Sequence, residues 1–398
     1  MKTIINILIF ISCFSTALAK DSLATEQALR PTRSIEFLKP VSGISEITFQ
    51  DHDIYKWIQT MQLDNGLIES AEHTNFVSLY DNAISALLFI SQEEIEQAER
   101  IFDFFYSRRN TEQKENGGGF YQFRDAQGNN GSSIWLGDNA WLLIALNHYQ
   151  EVTGNDQYAE MAGEIEVWIR SLQDSDGGLW GGIRVYGRIP KVTEGIITAF
   201  HAVPGFDAFH EGILEFLKKE RWDAEVNVFV AQPDVPRYNF ALDLYSLGYL
   251  IFEDYSQNAL TNSDRFYTEQ TSSVSGEIVK GFCFDEDRDV IWLEGTAQMA
   301  VAYQSAGQFA QTGKILNDLR NSFVPSSKTT HLKALPYASN EGTNFETSLL
   351  WDHSDSTPAV SPNVWYLFAK TGYNPFQTSA KKSIPSRLKF WKEEHVSP

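Results

Sequence analysis

The sequence predicts an all-α ring in which six inner helices, buried on every side, alternate with six outer amphipathic ones. This is an (α/α)6 toroid with short strands or irregular loops at its funnel end. Three observations carry the prediction. An acidic or polar residue followed by an apolar, alanine-rich run recurs along the chain, and the first five acids are Asp81, Asp138, Glu194, Asp243 and Glu294. Their spacing, about 50–57 residues, is that of a repeated supersecondary unit. The segments between the runs have one apolar stripe and one charged face. Glycine-rich loops then follow the outer segments and return the chain to the same end of the ring.

In chain order, 51–62 is the first outer helix. Tyr80-Asp81-Asn82-Ala83 opens the inner run 84–90, and 92–108 returns on the outside. Gly137-Asp138-Asn139-Ala140 opens 141–149, followed by outer 157–172. Thr193-Glu194-Gly195 opens 196–203, followed by outer 208–222. Leu242-Asp243 lies within the inner run 240–252, and 256–271, the most polar of the set, follows as an outer helix. Leu293-Glu294-Gly295-Thr296 opens 297–303 before outer 308–323, and Ser361-Pro362-Asn363 opens the last inner run, 364–369. The intervening loops include Asp64-Asn65-Gly66-Leu67, Asn116-Gly117-Gly118-Gly119-Phe120 and 174–180, which ends on Trp180.

The ring accounts for 45–376, with 20–44 as an N-terminal arm and 377–398 as a C-terminal tail. Residues 1–19 read as an export signal: Lys2, an apolar run over 4–11, and Ala17-Leu18-Ala19 ahead of Lys20. Phe10-Ile11-Ser12-Cys13 is a competing lipoprotein box that places acylation on Cys13. The apolar run is too short to span a bilayer, and no later stretch approaches about 18 uninterrupted apolar residues. Removal of Cys13 leaves Cys283, flanked by Phe282 and Phe284, which predicts a buried thiol without a disulfide. The destination is periplasmic or secreted.

Composition narrows the partners. The 398 residues carry 32 Lys and Arg against 52 Asp and Glu, a net charge of −20. That excludes nucleic acid or an anionic membrane surface as the main partner. Aromatic residues make up 13% of the chain, enough to fill a large core and also to line a groove that stacks sugar rings.

The five acids have two readings. A carboxylate in the first turn of a helix answers its unpaired N–H groups, which serves as a cap. Ser, Thr or Asn would cap without charge, however, and converging acids repel, so at least one is expected with a raised pKa. A raised and an ordinary carboxyl facing one another are what glycosidic bond cleavage requires. Tyr80, Trp135, Trp141, Trp180, Tyr238 and Trp292 lie beside these acids or on the loops as stacking surfaces, with Trp141 and Trp292 equally suited to a core. Arg124, Arg184 and Arg237 lie near the rim, to hold an acidic substituent or to form loop ion pairs.

Together, 78–83, Leu136-Gly137-Asp138-Asn139-Ala140-Trp141, Thr193-Glu194, Trp292-Leu293-Glu294-Gly295-Thr296-Ala297-Gln298 and Asn374-Pro375-Phe376 resemble the bacterial six-hairpin glycosidase-like proteins. The resemblance runs from Trp57 to Phe376. It implies an exported (α/α)6 protein of polysaccharide processing, in a superfamily of hydrolases, lyases and epimerases. The helix at Asp243 departs from the pattern, and Asn363 stands where a sixth acid is expected.

The resulting expectation is a glycoside hydrolase acting on an oligo- or polysaccharide. Glu194 is the general acid, Glu294 its partner, and Asp138 or Asp81 positions water or substrate. Tyr80, Trp135, Trp141, Trp180, Arg237, Tyr238, Asp243 and Trp292 form the substrate surface. Glycines beside Glu194 and Glu294 are expected to leave room for a ligand. A polysaccharide lyase is the alternative, with His73, His201, Tyr121 or Tyr238 as base and Arg237-Tyr238-Asn239 neutralising a uronate. A non-catalytic glycan-binding envelope protein is another. Gln173 to Trp180 resembles one repeat of terpene cyclases, but a single copy without an Asp-rich motif does not support that chemistry. No metal or cofactor is expected: 284–289 lacks calcium-loop spacing, and Gly117-Gly118-Gly119 lacks the Lys of a phosphate loop.

Overall fold

A computed structural model describes residues 47–184, 187–231, 240–345, 348–350, 354–377 and 381–392. The segments expected as export signal and N-terminal arm, with Cys13, Arg237 and Tyr238, lie outside the described residues.

Six inner helices form a closed circuit: α2 (Leu79–Ser91), α4 (Leu136–Thr153), α6 (Thr193–Ala202), α8 (Asp243–Ile251), α10 (Leu293–Ser305) and α12 (Val360–Thr371). Each packs on the next, and α12 returns to α2. Outer helices α1 (Phe49–Thr60), α3 (Ile95–Ser107), α5 (Ala159–Ser171), α7 (Ala208–Glu220), α9 (Asn258–Asn262) and α11 (Phe309–Asp318) each lie against an inner partner. The fold is an (α/α)6 toroid.

Burial follows the sequence pattern. In α4 the run from Leu136 through Leu146 is entirely buried, as a helix surrounded by other helices demands. In α3 only Ala98, Ile101, Phe102, Phe104 and Phe105 are buried, a stripe at helical spacing. Each buried Leu or Phe contributes about 1.5–3 kcal/mol. The inner helices α4 and α12 stop at Gly154 and Gly372, whose φ angles of 69° and 74° suit a left-handed cap. At the seam, Asp51 of α1 completes a capping box with Thr48, accepts a hydrogen bond from Tyr366 (2.8 Å) and pairs with Lys370 (3.0 Å) on α12.

Strands are short and cluster before inner helices: Val77–Ser78 pairs with Phe123–Arg124, and Ile134–Trp135 joins Gly182–Arg184 and Gly187–Ile189. The asparagine of each Asp-Asn pair locks this geometry. Asn82 accepts from the Ile68 N–H (2.8 Å) and donates to Ser78 O (2.7 Å). Asn139 does the same with Phe120 and Trp135, and Asn363 with Leu335 and Ala359. Asn363, expected as the position of a sixth acid, is therefore the third member of a structural series.

Three expectations change. The outer element over 256–271 is α9 followed by a 3-10 turn, Ser263–Phe266, and a strand, Tyr267–Thr271, paired with Ile278–Phe282. Its Tyr and Thr residues suit a pleated strand better than a helix. The inner run at 240–252 becomes helical only at Asp243. Residues 381–392 are not a loose tail: Phe390 and Trp391 are buried on Phe229, Phe252 and Tyr255, and Lys389 pairs with Glu253 (2.6 Å) and Asp254 (2.9 Å). The apolar pair and the lysine make this segment a strap across the toroid.

Candidate carboxyl site

The first turns of five consecutive inner helices bring Asp81, Asp138, Glu194, Asp243 and Glu294 to one end of the ring. None is the residue that caps its helix; those are Ser78, Trp135, Val192, Leu242 and Trp292. The acids are one step or more inside, free of the cap's geometry and aimed toward one another. Asp81 and Asp243 feel the charge of Glu294, Asp138 that of Glu194 and Asp81, and Glu194 that of Asp243 and Glu294. The electrostatic chain closes on itself.

Their environments differ. Asp81, Asp138, Asp243 and Glu294 are buried, whereas Glu194 is half-buried. Glu294 has the most donors: Tyr80 Oη (2.7 Å) and Gln298 Nε2 (3.1 Å) to Oε1, and Ser361 Oγ (2.7 Å) to Oε2. Burial raises its pKa, and these three bonds oppose the rise by favouring the anion. Glu194 accepts from Thr198 Oγ1 alone (3.1 Å) among the described side chains. Burial, with the charges of Asp243 and Glu294, pushes it up to about 8.

Burial likewise pushes Asp81 up to about 8 and Asp243 up to about 7, each reinforced by Glu294. Asp138 is raised by burial and by Glu194, although the Tyr80 N–H donates to its Oδ2 (3.3 Å). Asp243 Oδ1 has no hydrogen-bond partner among the described residues.

The aromatic residues divide. Tyr80 is half-buried and central: it donates to Glu294 and accepts from Trp365 Nε1 (2.6 Å). Trp135 is half-buried at the entrance to α4, close to Glu194. A Cβ on Gly137 would lie 2.6 Å from Trp135 Nε1 and 2.9 Å from Glu194 Oε2. Trp180 is half-buried, with Arg188 and Lys191 near its ring, 5.3 and 5.1 Å from the centroid. Trp141, in contrast, is core: it is 2% exposed and packs against Tyr80, Trp365 and Phe376, leaving no open ring face. Trp292 is buried edge-on to Phe284 and over Gly295.

The glycines also correct an expectation. A Cβ on Gly295 would lie 2.1 Å from the Trp292 ring, and one on Gly195 3.3 Å from Gly137 N. They permit close packing of protein on protein, and the space beside them is filled.

Arg124 is buried in a paired contact with Glu112 (2.9 and 2.8 Å), a structural clamp, and Arg184 closes the strand Gly182–Arg184. His201 lies in the last turn of α6, at the opposite end from the acids, and His73 is exposed. Ser361, Gln298, Thr198 and Trp365 were not legible as site residues. Ser361 had a signal, since it opens the sixth inner helix where the other repeats place acids, and so did Gln298 and Thr198, one helical turn after Glu294 and Glu194.

No protein-family model matches the sequence, and no curated protein matches it. Solved structures do match. One described as a novel alpha-amylase from Clostridium perfringens is 14% identical, with 82% of this chain and 97% of that one covered and a TM-score of 0.56. A wild-type glycosidase is 12% identical, covering 82% and 96%, with a TM-score of 0.57. Cellobiose 2-epimerase from Bacillus thermoamylovorans is 10% identical, covering 80% and 97%, with a TM-score of 0.52. The fold is shared with glycosidases and sugar epimerases. At these identities the toroid is what the likeness establishes, over nearly the full length of each neighbour.

Proposed function

We propose that the protein is an exported glycoside hydrolase that cleaves an oligo- or polysaccharide in the carboxyl-lined end of the toroid. The observation that carries this reading is the unequal environment of Glu194 and Glu294 within one electrostatic cluster. Glu194, raised to about 8 and half-buried, holds a proton at neutral pH and presents it to a leaving glycosidic oxygen. Glu294, with three hydrogen-bond donors, is the partner that ionises and acts on water or on the anomeric carbon. Asp138 and Asp81 position water or sugar hydroxyls, and Trp135 and Trp180 offer ring surface beside them. The neighbours named as glycosidases are in keeping with this chemistry. Residues 1–19 direct export.

The lyase alternative loses His201 to the far end of the ring. Among its bases, Tyr121 is half-buried in a loop and Tyr238 lies outside the described residues.

The test is a panel of oligo- and polysaccharides assayed for new reducing ends with wild type, Glu194→Gln and Glu294→Gln. General acid–base groups contribute about 10²–10⁴-fold, so each variant is expected to lose at least 100-fold while keeping its circular dichroism spectrum. Full activity in either removes that residue from the mechanism. Glycan binding by wild type without new reducing ends would sink the hydrolase reading in favour of a binder, and ultraviolet-absorbing products would do so in favour of a lyase.

A further inference from the structure

The rear of the ring, where the inner helices end, holds a second concave feature independent of the carboxyl cluster. A cleft of about 590 Å³ lies between the C-terminal ends of α4 and α6 and the strap, with Asn147, His148, His201, Phe206, Lys381 and Lys382 in its lining. That volume falls in the range of small-molecule pockets.

Two ammonium groups enter it from the strap. Lys381 Nζ donates to the carbonyl oxygens of Tyr249 (2.6 Å) and Phe252 (3.1 Å), and Lys382 Nζ to that of Val203 (2.5 Å). These bonds cap the ends of α8 and α6, which explains why lysines are there. They do not use all the N–H groups that an ammonium carries. Among the described residues, neither lysine has a carboxylate partner. The nearby acids have other partners: Glu253 and Asp254 pair with Lys389, while Asp207 and Glu166 share Arg170. Two half-buried lysines thus line one cleft with carboxylates acting on them only from beyond ion-pairing distance, Glu253 and Asp254 on Lys381 and Asp207 and Glu166 on Lys382, an arrangement that an anion entering the cleft would relieve.

The facing wall is unsatisfied too. His201 is 6% exposed and its Nδ1 has no hydrogen-bond partner, and His148 Nδ1 has none either, with Glu151 Oε2 3.8 Å away. Burial pushes the His148 and His201 imidazoles down to about 4 and about 3, so each is a neutral ring able to donate one hydrogen bond. Glu151 is the one carboxylate in the lining.

We propose that this rear cleft binds an oxyanion, free or carried on a monosaccharide, with Lys381 and Lys382 as its counter-charges and His201 as a hydrogen-bond donor. Such a ligand would fasten the strap to α4 and α6.

Calorimetric titration of the full chain with inorganic phosphate, glucose 6-phosphate, glucuronate and, as a neutral control, glucose tests the proposal. Saturable uptake of phosphate is expected. Tighter uptake of a sugar-borne anion assigns the ligand to an acidic sugar, and equal uptake assigns it to the free ion. Lys382→Gln is expected to weaken binding by about tenfold. A second measurement needs no variant: saturating phosphate should slow acylation of Lys381 and Lys382, read by mass spectrometry, while exposed Lys219 reacts unchanged. No saturable uptake of any anion, uptake unaltered by Lys382→Gln, or acylation unaltered by phosphate would each overturn the proposal.

Discussion

Tyr80 and Glu294 lie 214 residues apart in the chain and are joined by a 2.7 Å hydrogen bond from the phenol to Oε1. The same phenol oxygen accepts the Trp365 indole N–H at 2.6 Å. First, fifth and sixth inner helices therefore meet on one atom, and the bond it donates favours an anionic Glu294.

Tyr80→Phe removes that donor and leaves the buried Trp365 N–H unsatisfied. Loss of a hydrogen bond to a carboxylate raises its pKa, so the acid limb of the pH–rate profile should move to higher pH. Turnover is expected to fall about tenfold, and stability by about 1–3 kcal/mol. Steady-state rates from pH 4 to 9 on the best glycan substrate check both; an acid limb that stays in place would separate Tyr80 from the ionisation of Glu294.

Gly137→Ala is a second, smaller change with a local cost. Its methyl would sit 2.6 Å from Trp135 Nε1 and 2.9 Å from Glu194 Oε2, so one or both must shift. Overpacking of this kind costs about 1–3 kcal/mol. A drop in kcat larger than the stability loss explains, measured beside a urea melt, is the expected pattern.

Stability should depend on pH in an unusual direction. Burial raises Asp81 and Glu194 to about 8 and Asp243 to about 7, above their unfolded values near 4. For a carboxyl with a raised folded pKa, the native state binds the extra proton, so stability falls as pH rises toward the folded value. Below about pH 6.5 the neutral His148 and His201 oppose this, because the unfolded chain then binds their protons. Above about 8 the lowered Lys381 and Lys382 oppose it similarly. The melting temperature should therefore decline between about pH 6.5 and 8, and Glu194→Gln should flatten the decline. A flat wild-type curve across that window would contradict the shared burial of the acids.

Trp391→Ala tests the strap. The indole is 4% exposed against Phe252 and Tyr255, and deleting a buried Trp costs about 3–5 kcal/mol. Urea unfolding should register that loss, with hydrolytic activity at 25 °C unchanged because the strap is at the far end from the carboxyls. A loss below about 1 kcal/mol would make residues 381–392 an ornament on the ring.

The ring itself was legible because two layers of helix write different patterns: continuous burial in α4, a stripe in α3. The acids were legible through their period. Which acid carries which proton was not, because that depends on Ser361 and Tyr80 reaching Glu294 from two other helices, and no spacing in the chain encodes a contact across the ring. Trp141 and Trp135 differ by six positions, yet one is core and the other faces Glu194; local sequence does not distinguish the inside of a wall from its rim. The strap was missed because Phe390 and Trp391 are two apolar residues within a cationic stretch, too few for a periodic signal. The partners they bury against are on other turns of the toroid.

The contact between Trp365 and Tyr80 spans 285 residues and is the stitch at which the circle is sewn shut. A chain growing from its N-terminus has all five acids in hand before α12 leaves the ribosome. Until then Glu294 lacks Ser361, and Tyr80 has no indole to hold it in place. On the hydrolase reading, the contacts that set Glu294 are thus completed only with α12, and a truncation ahead of residue 361 removes both the Ser361 and the Trp365 hydrogen bonds.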